Sequence, residues 1–77
     1  MTHFLARAAQ VVYIRAGYER RQALTQGRVV ADYLVAHLDE CQRQFNTQDE
    51  FELARMLALA MLGPSAQARS AGSGRAA

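Results

Sequence analysis

The 77-residue sequence contains no lysine, one cysteine and one proline, and it has no long uninterrupted apolar run. The single cysteine, Cys41, excludes an intramolecular disulfide and a cysteine-rich zinc site within one chain. A membrane helix needs about 20 consecutive apolar residues, so we expect no membrane span and no membrane partner. The length excludes a multidomain protein and most self-contained enzymes.

The apolar fraction of 51% excludes a wholly disordered chain. All basic residues are arginine, and the formal net charge is +2. Codon usage in a GC-rich genome explains this bias, and so does selection for the planar guanidinium group that suits phosphates and carboxylates. A charge of +2 is too small to require a nucleic-acid partner. Arg7 interrupts the apolar N-terminal segment, so no secretory signal is visible, and we expect a cytoplasmic protein with a free Cys41 thiol.

The C-terminal segment, residues 63–77, contains no large apolar side chain. Such a segment cannot compensate for its ordering entropy by burial. We therefore divide the chain into a helical domain at residues 1–62 and a flexible tail at residues 63–77.

The segment before the tail carries the strongest helix signals. Thr47 and Glu50 have the spacing of a capping box. In this motif the threonine hydroxyl accepts a hydrogen bond from the glutamate amide, and the glutamate side chain accepts one from the threonine amide. Gly63 suits a left-handed C-terminal position, and Pro64 cannot continue a helix. These signals predict a third helix over 48–62.

Apolar side chains cover about two thirds of the circumference of this helix, whereas an ordinary surface helix needs an apolar stripe only about 100° wide. We therefore expect it to make contacts on two sides, with the core and with a second copy of the chain. The residues predicted for this core or dimer interface are Phe51, Leu53, Met56, Leu57, Ala60 and Met61.

Helical periodicity also predicts a second helix over 28–45, joined to the third by a short turn at Asn46 and Thr47. Its apolar stripe contains Val30, Leu34, Leu38, Cys41 and Phe45.

A first helix is predicted over 3–23, with a break near 25–27; alternatively one long helix passes through Gly27. Its small apolar row should pack internally and contains Leu5, Ala8, Ala9, Val12 and Ala16. Its second row is larger and contains Phe4, Val11, Ile14 and Tyr18. Gly17, within the same segment, suits a bend or a close helix approach.

We therefore expect an all-α protein, a small helical bundle of three helices or of two long helices forming a hairpin. A domain of about 60 residues is marginally stable, and association commonly compensates. We predict a symmetric homodimer.

The sequence offers little for catalysis or metal binding. His37 and Cys41 have a ligand-competent spacing but make only half of a site, and a core-edge histidine beside a buried cysteine is the simpler interpretation. A catalytic thiolate would need a polar, cationic environment, which the apolar stripe does not provide. No glycine-rich phosphate loop is present. We expect no enzyme activity, no metal and no cofactor.

Arginine and tyrosine cluster near the end of the first helix, and both residue types are enriched in interface hot spots. We therefore predict a small module that binds another protein, as an adaptor, a chaperone-like factor or an inhibitor. The predicted partner-binding residues are Val11, Ile14, Arg15, Tyr18, Arg20 and Arg21. The alternative is a dimeric nucleic-acid-binding regulator that uses Arg15, Arg20, Arg21 and Arg28, with Tyr13 and Tyr18 between them.

Overall fold

A computed structural model describes the backbone of residues 2–71 and the side chains of residues 2–63. Within these residues all regular secondary structure is helical and no strand is present, which confirms the all-α class. The helices are α1 (Thr2–Arg15), α2 (Arg20–Ala36), α3 (Leu38–Phe45) and α4 (Glu50–Ala71). A small helical bundle fits, but it has four helices in the described part of the chain rather than three or two.

The first break lies at residues 16–19, not at the predicted 25–27. Gly17 has a φ of 104°, a backbone conformation that other residues rarely adopt, and it ends α1. The backbone amide of Tyr18 donates to the carbonyl of Tyr13 at 3.0 Å, which closes the turn. The predicted first helix, 3–23, is therefore divided between α1 and α2.

Gly27 lies inside α2, as the one-long-helix alternative required at this position, and it marks the closest approach between α1 and α2. A Cβ atom at Gly27 would collide with the backbone carbonyl oxygen of Ala6 and lie 3.2 Å from the backbone nitrogen of Gln10. The two helices can approach this closely only because residue 27 has no side chain. The glycine that suggested a break is thus a packing position.

The predicted second helix, 28–45, is divided at His37, where φ is −128° and ψ is 39°. The amide of His37 still donates to the carbonyls of Tyr33 and Leu34, so the chain bends without losing that hydrogen bond. The apolar stripe continues across the bend. Val30, Leu34 and Cys41 are buried, and Leu38 and Phe45 pack partly against the core.

The N-terminus of α4 is capped by Asp49, which corrects the predicted Thr47–Glu50 capping box. The Asp49 carboxylate accepts from the amides of Phe51 at 3.0 Å and Glu52 at 3.3 Å. The Thr47 hydroxyl accepts from the amide of Asp49 at 3.2 Å. The helix begins at Glu50 because the carboxylate one position before it satisfies two of its free amides.

At the other end of α4, Gly63 has a φ of 87° and a ψ of 162°. The positive φ agrees with the role predicted for Gly63, but this ψ is not that of a left-handed helical residue. The residue interrupts the helix rather than ending it, and helical backbone continues to Ala71. The side chains of residues 64–77 and the backbone of 72–77 lie outside the described residues, so the flexible tail stays a prediction.

The core contains residues from all four helices. α1 and α2 contribute Leu5, Ala6, Ala9, Tyr13, Ala23, Val30, Ala31 and Leu34, and α3 and α4 contribute Cys41, Leu53, Ala54, Leu57 and Ala58. Tyr13, which the nucleic-acid alternative placed on the surface, is a core residue with 2% of its surface exposed. The molecule has extents of 41 × 27 × 15 Å, so its thinnest dimension exceeds one helix diameter only slightly. Each helix consequently keeps a solvent-facing side.

Candidate interaction surfaces

The side of α1 that faces away from the core carries large apolar residues, which we call the outer face: Phe4, Val11 and Ile14. These side chains are 60%, 46% and 42% exposed. Their spacing of seven and three residues places them on one side of a helix. The smaller residues of α1, Ala6 and Ala9, are buried instead. A row of large apolar groups is thereby left in contact with solvent.

Tyr18 follows α1, in the turn that leads to α2. Its side chain is exposed, and its ring packs edge-to-face on the buried Tyr13, with centroids 5.1 Å apart and an interplanar angle of 71°. Burial raises the pKa of Tyr13, and the neighbouring Tyr18 phenol raises it further. The exposed Tyr18 ring is thus supported by a buried core residue. Arg15, at the last turn of α1, is exposed as well.

A second feature is an open groove between α1 and α2, which we call the arginine groove. It has a volume of about 800 Å³. From α1 its lining residues are Thr2, His3, Ala6, Arg7 and Gln10, and from α2 they are Arg20, Arg21, Leu24, Arg28 and Asp32. Four guanidinium groups thus share one groove with a single carboxylate.

The four arginines of the groove are exposed. Among the described side chains, no carboxylate forms an ion pair with Arg7, Arg20, Arg21 or Arg28. Among the described side chains, an ion pair joins Arg55 and Glu52 at 3.5 Å, and the His37 imidazole lies 3.6 Å from the Glu40 carboxylate, both outside the groove. The groove therefore concentrates positive charge that the described carboxylates leave unneutralised.

One hydrogen bond across the groove ties its two walls together. The side-chain amide of Gln10 in α1 donates to the backbone carbonyl of Arg20 in α2 at 3.2 Å. The Gly27 contact with Ala6 also keeps the helix backbones close together. The groove walls are thus held by α1 and α2 themselves, rather than by a loop.

The six predicted partner-binding residues fall into two places. Val11, Ile14, Arg15 and Tyr18 belong to α1 and the turn that follows it, whereas Arg20 and Arg21 line the arginine groove. Sequence reasoning did not include Arg7 in either surface. Gly27 is the sequence feature that could have identified Arg7. If Gly27 is interpreted as the place where α2 lies against α1, Arg28 comes to the level of Arg7.

The predicted core or dimer residues of α4 are also divided. Leu53 and Leu57 are buried in the core, and Met56 is half-buried. Phe51, Ala60 and Met61 are exposed, with Phe51 49% and Met61 45% accessible. The core accounts for Leu53 and Leu57, and the three exposed residues stay a predicted dimer contact.

His37 and Cys41 occupy different environments. Cys41 is a buried free thiol, and burial, followed by the nearby Glu40 carboxylate, raises its pKa. A raised pKa disfavours the nucleophilic thiolate. His37 is exposed and its ring lies 4.4 Å from that of Tyr33. Within the described residues, no three His, Cys, Asp or Glu side chains converge as a metal site would require.

No family model matches the chain, and comparisons with curated proteins and with solved structures found no match either. None of the described helices combines the length and apolar character needed to cross a membrane.

Proposed function

We propose that this protein is a small, non-catalytic interaction module that binds another protein through the outer face of α1. The observation that carries the proposal is the exposure of Phe4, Val11 and Ile14 on one side of a helix whose other side is buried in the core. Its buried free thiol, Cys41, fits the reducing cytoplasm that the sequence predicts.

The physical reason is the free energy of apolar burial, which is about 25 cal/mol for each Å² removed from water. Neighbouring exposed apolar side chains mark interaction sites more often than single ones do. Arg15 and Tyr18 adjoin the outer face and supply the two residue types that most often dominate binding energy. The rigid packing of Tyr18 on Tyr13 also lowers the entropy that its side chain would lose on binding.

The test is capture of a partner from cells that express the chain naturally, followed by affinity measurement with purified partner. Val11→Ser with Ile14→Ser should weaken binding at least tenfold. The matched control is Val29→Ser with Val35→Ser on α2, since these valines are 46% and 54% exposed. Equal weakening by both pairs, or none by the α1 pair, would contradict the proposal for the outer face.

Homodimerisation belongs to the same proposal and concerns the exposed residues of α4. Phe51 and Met61 leave apolar surface uncovered on α4, and Met56 is half-buried. We expect a dimer at micromolar concentration, measured by light scattering after size exclusion. A stable monomer of 8.5 kDa would contradict the dimer and leave α4 available to a different partner.

Nucleic-acid binding is the second candidate, and the arginine groove is the observation that favours it. Phosphate contacts make affinity fall steeply between about 50 and 200 mM salt, whereas an apolar protein interface is far less sensitive. Tyr13, a predicted base-stacking group, is buried in the core and cannot stack on a base. This burial weakens the nucleic-acid candidate. A salt titration of binding distinguishes an apolar contact through the outer face from phosphate contacts in the arginine groove.

A further inference from the structure

We infer that the arginine groove binds an acidic peptide segment, with Arg7, Arg20, Arg21 and Arg28 contacting its carboxylates. The inference rests on the proposed function, since such a segment would belong to the protein partner. It assigns to the groove a ligand class distinct from the apolar contact of the outer face.

The distribution of charge is the first argument. Although the whole chain has a net charge of only +2, the groove brings together four arginines and one carboxylate, Asp32. Five of the seven acidic residues lie within residues 39–52, in α3, the turn after it and the start of α4. Guanidinium groups bind carboxylates through two parallel hydrogen bonds, so a row of carboxylates complements this groove.

The shape of the groove is the second argument, and it follows from Gly27. Because α1 and α2 meet backbone to backbone at Gly27 and Ala6, longer side chains beside the contact, including Arg7 and Arg28, line an open trough. A concave trough between two helices accommodates a single peptide segment. The convex phosphate backbone of a nucleic-acid duplex would not enter it.

The chemistry of the lining is the third argument. The half-buried Leu24 adds apolar surface to the lining, which suits the aliphatic side chains of a peptide. The groove-lining residues, all among the described side chains, include no Phe, Tyr or Trp. Binding of single-stranded nucleic acid usually relies on such rings for base stacking. An acidic peptide therefore fits the lining better than an oligonucleotide does.

The experiment measures fluorescence anisotropy of a labelled peptide that alternates Glu and Ala, titrated with the full chain. The comparison probes are the same peptide with Gln in place of Glu, and a single-stranded oligonucleotide of equal charge. We expect the Glu peptide to bind at least tenfold more tightly than either. Absence of Glu-peptide binding, or tighter binding of the oligonucleotide, would overturn the inference.

The variant Arg7→Gln with Arg28→Gln should weaken binding of the Glu peptide at least tenfold. Its matched control is Arg43→Gln with Arg55→Gln, which removes the same charge from exposed positions on α3 and α4. An equal loss of Glu-peptide affinity in the two double variants would show that binding depends only on the net charge of the chain, and it would overturn the groove assignment. Arg7→Lys with Arg28→Lys keeps the charge, and partial loss in it would identify bidentate contacts. Circular dichroism verifies folding of each variant.

The outer-face variant separates this inference from the proposed function. Val11→Ser with Ile14→Ser should bind the Glu peptide as the wild type does. If the Glu peptide fails to bind while this variant still loses the captured partner, the groove inference is wrong and the proposed function stands. If the Glu peptide binds but the outer-face variant keeps full affinity for the partner, the groove inference stands and the proposed function of the outer face is wrong.

Discussion

The inner side of α1 and its outer face differ in burial, not in the size of their residues. On the inner side Leu5, Ala6, Ala9 and Tyr13 are buried, whereas on the outer face Phe4, Val11 and Ile14 remain exposed. Where α2 lies against the α1 backbone, at Gly27, the buried residue is the small Ala6. Large side chains occur on both sides, so the side of the helix, rather than residue size, separates buried from exposed residues. The large residues of the outer face are therefore available for binding.

The largest expected effect comes from adjacent residues on opposite sides. Leu5 is fully buried and Phe4 is 60% exposed. Leu5→Ala should lower the free energy of unfolding by about 2 to 5 kcal/mol, because it leaves a cavity. Phe4→Ala should lower it by less than about 1 kcal/mol, since a mostly exposed side chain loses little burial. Urea unfolding followed by circular dichroism measures both, and a greater loss with Phe4→Ala would reverse the comparison.

The next effect tests the close approach itself. Gly27→Ala should lower the free energy of unfolding by about 3 kcal/mol, because the new Cβ collides with α1 backbone that cannot rotate away. Gln22→Ala, at an exposed position of α2, is the control and should change stability by under about 0.5 kcal/mol. Thermal unfolding provides the measurement. A neutral Gly27→Ala would mean that α1 and α2 lie farther apart.

A binding effect of about 2 kcal/mol, on the order of thirtyfold, is expected on the outer side. Arg15→Ala with Tyr18→Ala should weaken partner binding by this amount in calorimetry. Helicity should be retained because both side chains are exposed. Unchanged affinity with native helicity would transfer the binding surface to α4. Loss of helicity would show that the ring contact between Tyr18 and Tyr13 stabilises the fold.

The smallest effect concerns pH and the inner residue Tyr13. Burial raises its pKa above the ordinary value of 10.0, and Tyr18 adds to this. The folded chain therefore retains the proton to higher pH than the unfolded chain does. The stabilisation is complete below 10.0 and is lost as the pH rises through the folded pKa. Unfolding free energies should fall more steeply above pH 10.0 in the wild type than in Tyr13→Phe, and parallel curves would contradict burial of the phenol.

The sequence predicted helix content and the second apolar stripe well, since both depend on local periodicity. Val30, Leu34 and Cys41 are buried as the spacing indicated. The breaks were predicted less well: Gly27 was assigned to a break and belongs to a helix, whereas Gly17 ends one. A glycine permits either outcome, and the choice depends on whether another backbone lies beside it. Thr47 was the predicted cap, whereas Asp49 caps α4 in the structure. The side chains of both residues can accept hydrogen bonds from backbone amides, so the sequence did not distinguish them.

The candidate surfaces were predicted in part. Val11 and Ile14 were assigned to a binding face from composition, and both are exposed. Arg20 and Arg21 were placed with them, but they line the groove beside Arg7. That grouping joins residues more than ten positions apart in the chain. Periodicity within one helix carries no information about which residue of a neighbouring helix lies opposite.

By itself, the amino-acid sequence determined that this chain is helical, has a small core and carries more apolar surface than that core can bury. These properties follow from composition and from the 3.6-residue period, which act locally. The tertiary structure adds which face of α1 is left exposed and which arginines share a groove. The reason is steric: the backbone contact between Gly27 and Ala6 fixes how α1 lies against α2, and this arrangement places Arg7 in the same groove as Arg20, Arg21 and Arg28.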